Sequence, residues 1–133
     1  MAKAGDSFTV TLMETHLDWG EYRNPTNREP ISGEGYIPIP KEMARKYDIF
    51  NSNNSHTGFG YNLFTANSSD GFLNNVVLLA QGSSKAGDVY AKQFSVQDNL
   101  KLIGQWYTYM GAAVGDKVKV TFTSSTEVLL EII

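Results

Sequence analysis

Alternation between apolar and polar positions is clearest at the two ends of the chain. Phe8, Val10 and Leu12 alternate with Ser7, Thr9 and Thr11, the period of a strand with one buried face, and predict a strand over 7–14. Val118, Val120 and Phe122 alternate in the same way with Lys117, Lys119 and Thr121. They predict a closing hairpin, strands 117–123 and 127–132, around Ser124-Ser125-Thr126. Strand character returns at 58–66 and 72–80, separated by a tight turn in which Gly71 can take a positive φ. A shorter strand is expected at 89–94. Residues 34–39 read as an extended edge segment, because Pro38 and Pro40 have no amide to give a central strand. Pro40 suits the first turn of a helix over 42–47. Leu100, Ile103, Trp106 (or Tyr107) and Met110 recur at helical spacing, with Ser95 or Asp98 as the expected cap and Gly111 as the stop. The sum is a mainly β chain, six or seven strands in a small open barrel with two short helices plugging its ends.

Length fits that picture as a single domain, residues 1–133, with residues 1–6 a flexible lead-in. No apolar run reaches the length of a membrane span and the start lacks a signal-peptide core, so a soluble cytoplasmic protein is expected. With no cysteine, disulfides, thiolate metal sites and a cysteine nucleophile are excluded. The two histidines, His16 and His56, lie in polar stretches without metal-ligand spacing. There is no phosphate-binding glycine loop and no nucleophile elbow. Asp18 and Glu21 read as solvated loop acids rather than an acid–base pair. A non-enzyme with no metal or cofactor is expected.

Net charge is −3, which argues against a polycation that holds nucleic acid by bulk field. The surplus acid lies in residues 1–34, where three basic residues face six acidic ones. Two polar segments stand out, 14–30 and 81–93, rich in arginine, lysine, asparagine, glutamine, hydroxyls and aromatics. Such side chains can hydrogen-bond base edges in a major groove: Arg or Lys to guanine, Asn or Gln to adenine, Asp or Glu to cytosine. Both segments can equally be ordinary solvated loops. Lys41, Arg45 and Lys46 on the first helix could meet phosphates, or simply form a solvated helix face.

Gly35-Tyr36-Ile37-Pro38-Ile39-Pro40-Lys41, followed by Phe50, resembles the start of the DNA-binding pseudobarrel of some type II restriction endonucleases, a relative of the plant B3 domain. The order downstream is similar too: Leu63-Phe64, Asp70-Gly71, the apolar strand 76–80, the glycine-bearing loop 81–88, Gly104-Gln105-Trp106, and Val114-Gly115-Asp116-Lys117-Val118. The likeness spans residues 8–132. It implies an open pseudobarrel that reads double-stranded DNA with two arms in the major groove and performs no cleavage itself. A nuclease domain or subunit would be separate. The implied arm residues are His16, Asp18, Trp19, Arg23, Asn24 and Arg28 on one side, and Gln81, Ser83, Ser84, Lys85, Lys92 and Gln93 on the other. Tyr22, Asn27 and Tyr90, in or beside the same polar segments, join them as candidate DNA contacts. A shorter likeness, of residues 37–42 to swapped-hairpin transition-state regulators, leaves the middle section 58–110 without a counterpart. The alternative function is a protein- or ligand-binding β-barrel accessory protein, with Trp19, Tyr22 and Tyr90 as aromatic anchors.

Overall fold

The structure, a computed structural model, describes residues 1–17, 35–51, 57–82 and 89–133. Seven strands form one sheet: β1 (Ser7–Thr11), β2 (Ile37–Pro38), β3 (Leu63–Ser68), β4 (Val76–Gln81), β5 (Gln93–Val96), β6 (Lys117–Phe122) and β7 (Glu127–Ile132). Their spatial order is β1-β6-β7-β3-β4-β5-β2. Every pairing is antiparallel except β3 with β7. The sheet curls into a nearly closed barrel that stays open between β1 and β2. A one-turn helix, α1 (Glu14–Leu17), follows β1; α2 (Lys41–Lys46) follows β2; α3 (Leu102–Met110) lies between β5 and β6. Among the described residues, no helix is long and apolar enough to cross a membrane.

The alternating positions do what their period predicts. Phe8, Val10, Val118, Val120, Phe122, Val128 and Leu130 all point inward and are buried. Phe64 sits at the centre, edge-on to both Phe94 and Phe122 with ring centroids 5.8 Å apart. Burying each such ring removes 150–250 Å² from water, so this trio carries much of the barrel's cohesion.

The seam has a backbone cause. Ile39 N–H donates to Lys92 O, and Ile37 lies opposite Phe94, so the odd residues of β2 bond inward to β5. The even residues then face the gap. Pro38 and Pro40 have no N–H to offer there, and Tyr36 N–H is taken by His16 O. No donor is left along this edge to close a ladder with β1.

The two longer helices cover opposite ends. Pro40 is the N-cap of α2, and its carbonyl accepts from the amides of Met43 and Ala44. Past this helix, Tyr47 packs on Phe122 (5.7 Å) and its hydroxyl reaches Ser7 O. At the far end α3 buries Ile103, Gly104, Trp106 and Tyr107. It stops at Gly111, which is left-handed (φ 65), so Ala112 N–H can reach back to Tyr107 O.

Several local expectations are corrected. Neither Ser95 nor Asp98 caps α3. Ser95 is buried inside β5, whose pairing with β4 runs on to Val96, and Asp98 is left-handed (φ 64) in the turn that follows. Lys101 is the N-cap, without a side-chain bond. Tyr107, not Met110, completes the buried stripe, because its hydroxyl finds Tyr36 O at 2.8 Å while Met110 stays exposed. Residues 89–91 do not belong to β5; they pair with 49–51 just after α2, through Asn51 N–H to Val89 O and Ala91 N–H to Ile49 O. The stretch 58–62 is a turn held by Gly58 O, and β3 begins only at Leu63. In the lead-in, residues 1–6, Gly5 N–H donates to Phe122 O and Ala2 is buried.

Candidate functional site

The two polar segments single out two places where described residues from either side come together. The first is bounded by Leu17 and Gly35. Here His16 O accepts from Tyr36 N–H at 3.1 Å, and the two rings meet edge to face at 5.2 Å. His16 Nδ1 accepts from Met13 N–H at 2.9 Å, as a capping-box side chain reaches back to the first turn of its helix. Half-buried there, His16 is held below the ordinary histidine range by desolvation, which favours the neutral ring that accepts at Nδ1. Gly35 lies against α3: a Cβ on it would come within 2.9 Å of Gly104 Cα. Tyr107 donates to Tyr36 O from the same helix, and burial pushes its hydroxyl well above the usual tyrosine range.

The second place is bounded by Gly82 and Val89. Asn51, buried, touches both sides: its N–H donates to Val89 O at 2.8 Å and its Oδ1 accepts from Gly82 N–H at 3.2 Å. Lys92 N–H to Gln81 O, 2.7 Å, continues the closure outward from β5. Beside it Tyr90 stacks on Phe50 (5.4 Å, 18° between planes), and the Arg45 guanidinium lies 6.0 Å from the Tyr90 ring centroid.

Both necks flank the same edge strand. Tyr36 enters β2 at the first neck, and Ile39 leaves it bonded to Lys92 at the second. Three residues of extended chain put these points about 10 Å apart. Ala91 is buried, so Tyr90 and Lys92 share the outward side of their segment. Lys41 and Arg45 share a face of α2, and Lys41, Arg45, Lys46 and Lys92 are all exposed. Lys41, Arg45 and Lys92 make a basic strip beside the second neck, with Lys46 further round the helix. Lys46 Nζ also lies 5.4 Å from the Tyr47 ring centroid.

Of the expected site residues, His16 stands at the first neck. Gln81, Tyr90, Lys92 and Gln93 stand at the second, and Lys41, Arg45 and Lys46 beside it. Gln81 Oε1 is engaged by Ser95 Oγ at 3.2 Å, across the β4–β5 ladder. Asp18, Trp19, Tyr22, Arg23, Asn24, Asn27, Arg28, Ser83, Ser84 and Lys85 lie outside the described residues, as does His56. Sequence reasoning named Gly35 only within the motif and Tyr107 only as a core alternative, and gave neither these two nor Asn51 a place in the site, although they hold the necks. The one signal for Asn51 was a polar residue directly after the run Ile49-Phe50, where an apolar pattern would have continued inward.

Asp70 makes a third polar focus, in the β3–β4 turn. Its carboxylate accepts from Trp106 Nε1, Phe72 N–H and Ser68 Oγ, all at 2.9–3.0 Å. Burial alone would raise its pKa, but these donors outweigh it and hold the carboxyl below its ordinary range. Every partner is structural, so Asp70 is a tie between turn and helix. Among the described residues, no three histidine or acidic side chains converge as a metal site needs. No protein-family model, curated protein or solved structure matches the chain.

Proposed function

We propose that this chain binds double-stranded DNA in a sequence-specific, non-catalytic manner. Segments 14–30 and 81–93 would address one major groove, and Lys41, Arg45, Lys46 and Lys92 would meet phosphates. The observation that carries the reading is the pair of closed necks at the two ends of β2. The edge strand between them, Tyr36 to Ile39, is about 10 Å long, a span on the scale of a groove about 12 Å wide. The basic strip beside the second neck supports it, since phosphate contacts set register while base contacts specify. The pseudobarrel likeness of residues 8–132 supports it from the sequence side. Cleavage, if the chain serves a restriction system, would belong to a separate nuclease domain or subunit. The alternative, a protein- or ligand-binding barrel anchored on aromatics, is weakened at Tyr90, whose ring already stacks on Phe50 with the Arg45 guanidinium 6.0 Å from its centroid.

Selection from random duplexes followed by a salt titration tests the reading. The expected result is one enriched sequence whose binding weakens steeply between about 50 and 200 mM salt. Arg23→Ala or Arg28→Ala should cost about 1–3 kcal/mol where that residue reads guanine. No enrichment, or binding indifferent to salt, would overturn the proposal.

A further inference from the structure

We infer that Asn51 is a positioning residue: it locks the second neck and so presents Tyr90 and Lys92 in fixed register with Arg45. The inference rests on the DNA-binding reading for what the strip contacts, but not for the lock itself. Asn51 follows Ile49 and Phe50 at the point where the chain leaving α2 pairs with residues 89–91. The residue is only 3% exposed. A buried polar side chain persists where it meets a hydrogen-bonding demand, and here the Oδ1 meets the Gly82 amide. The main chain of the same residue holds Val89 on the other side. One residue thus joins both ends of the span 83–88.

The fit leaves no slack. A Cβ at Gly82 would lie 3.3 Å from Tyr90 O and 3.5 Å from both Asn51 Nδ2 and Lys92 Cγ. The two sides of the neck thus approach so closely that one added methyl would touch both, and Lys92 lies beside Gly82 as well as bonding to β4. Tyr90 is fixed in turn by the Phe50 stack and its bridge to Phe50. Releasing Gly82 from Asn51 would free the Gly82 side of the neck, on which the outer end of the Tyr90–Lys92 flank rests, while the main-chain bonds of 89–92 remain. Loose cations still attract a polyanion, because that attraction needs little geometry. Cations fixed in register are what align a protein on one particular site. Loss of the lock should therefore lower affinity for the selected sequence and spare non-specific binding.

The test has DNA-free and DNA-bound arms. In the unaltered protein, the Gly82 amide should exchange with solvent deuterium at least about tenfold more slowly than an unbonded amide. Asn51→Ala should abolish that protection and speed tryptic cleavage after Lys85 about tenfold, the factor that one buried hydrogen bond carries. Cleavage after Arg23 and Arg28, in the other segment, serves as the internal control and should not change. Asn51→Asp keeps an acceptor for Gly82 and should restore protection. On DNA, Asn51→Ala should weaken the selected duplex about tenfold and leave a scrambled duplex unchanged. Should Asn51→Ala fail to fold, Gly82 exchange in the unaltered protein decides the matter. Rapid exchange there, unchanged cleavage after Lys85, or equal losses on both duplexes overturns the inference. A protein that selects no DNA sinks the binding reading alone, since the exchange and cleavage results stand without it.

Discussion

Asp70 shows how much one side chain can organise. It gathers an indole N–H from α3, an amide from its own turn and a serine hydroxyl from the end of β3. Bonds to a charged group contribute about 1.5–3 kcal/mol, so Asp70→Asn should lose stability of that order in urea denaturation. The charge also sets a pH dependence. Because the folded carboxyl sits below its ordinary value, its contribution is complete above that value and disappears as pH falls through the folded one. Thermal melts should therefore drop as pH falls below about 4, the ordinary carboxylate value, and the drop should shrink in Asp70→Asn. His16 acts in a milder window. Its folded pKa is also depressed, so protonation is disfavoured in the folded state and stability falls as pH drops below the ordinary histidine value. Protonation at Nδ1 would remove the acceptor for Met13 N–H and loosen the first neck. Melts taken as pH falls below about 6.5 should show a decline that His16→Asn removes.

At the scale of elements, the first neck depends on two glycines brought together from residues far apart in sequence. A Cβ on Gly35 would meet Gly104 Cα and N at 2.9 and 3.0 Å, backbone atoms that cannot swing aside as a side chain could. Gly35→Ala should cost about 1–3 kcal/mol in chemical denaturation, the usual range for overpacking. Ala at Gly71, where the turn takes φ 86 and nothing lies within 4 Å of the Cβ, should strain the backbone without a clash. What the sequence made legible follows this division. Strands with one buried face announce themselves, and β6 and β7 lie almost where Lys117–Thr123 and 127–132 were expected. The proline spacing at 38 and 40 announced the edge, and the barrel stays open there for the reason that spacing implies. What stayed hidden was pairing between distant pieces. Residues 89–91 have strand-like composition, yet they bond to 49–51 rather than extend β5, and no local pattern distinguishes the two. Tyr107 and Trp106 are adjacent and both apolar enough to be core, and both are buried because each polar tip finds a partner. The basic strip was half legible: Lys41, Arg45 and Lys46 are neighbours on one helix, but only the fold carries Lys92 to them.

For the molecule as a whole, the tension lies between an acidic sum and a proposed anionic ligand. The sum is −3, but charge acts locally, within about 8–10 Å at physiological salt. Around the strip, four exposed cations stand with Glu42 and Asp48 as the acids on and just after α2. A ligand docked along β2 would sense this strip more strongly than the acids of β7 around the barrel. Counting released ions turns the argument into a measurement. Each phosphate contact contributes about 0.9 to the slope of log affinity against log salt. Arg45→Ala and Lys92→Ala should each flatten the slope by about that amount, and the double variant by about twice as much. Lys119 sits across the β6–β7 ladder from Glu131, where its charge already has an opposite neighbour, so Lys119→Ala should leave the slope unchanged. If all three variants flatten it equally, the field of the whole surface holds the duplex and the strip has no special place in it. If only the strip variants do, the duplex lies along the open seam, on the edge that Pro38 and Pro40 keep from closing.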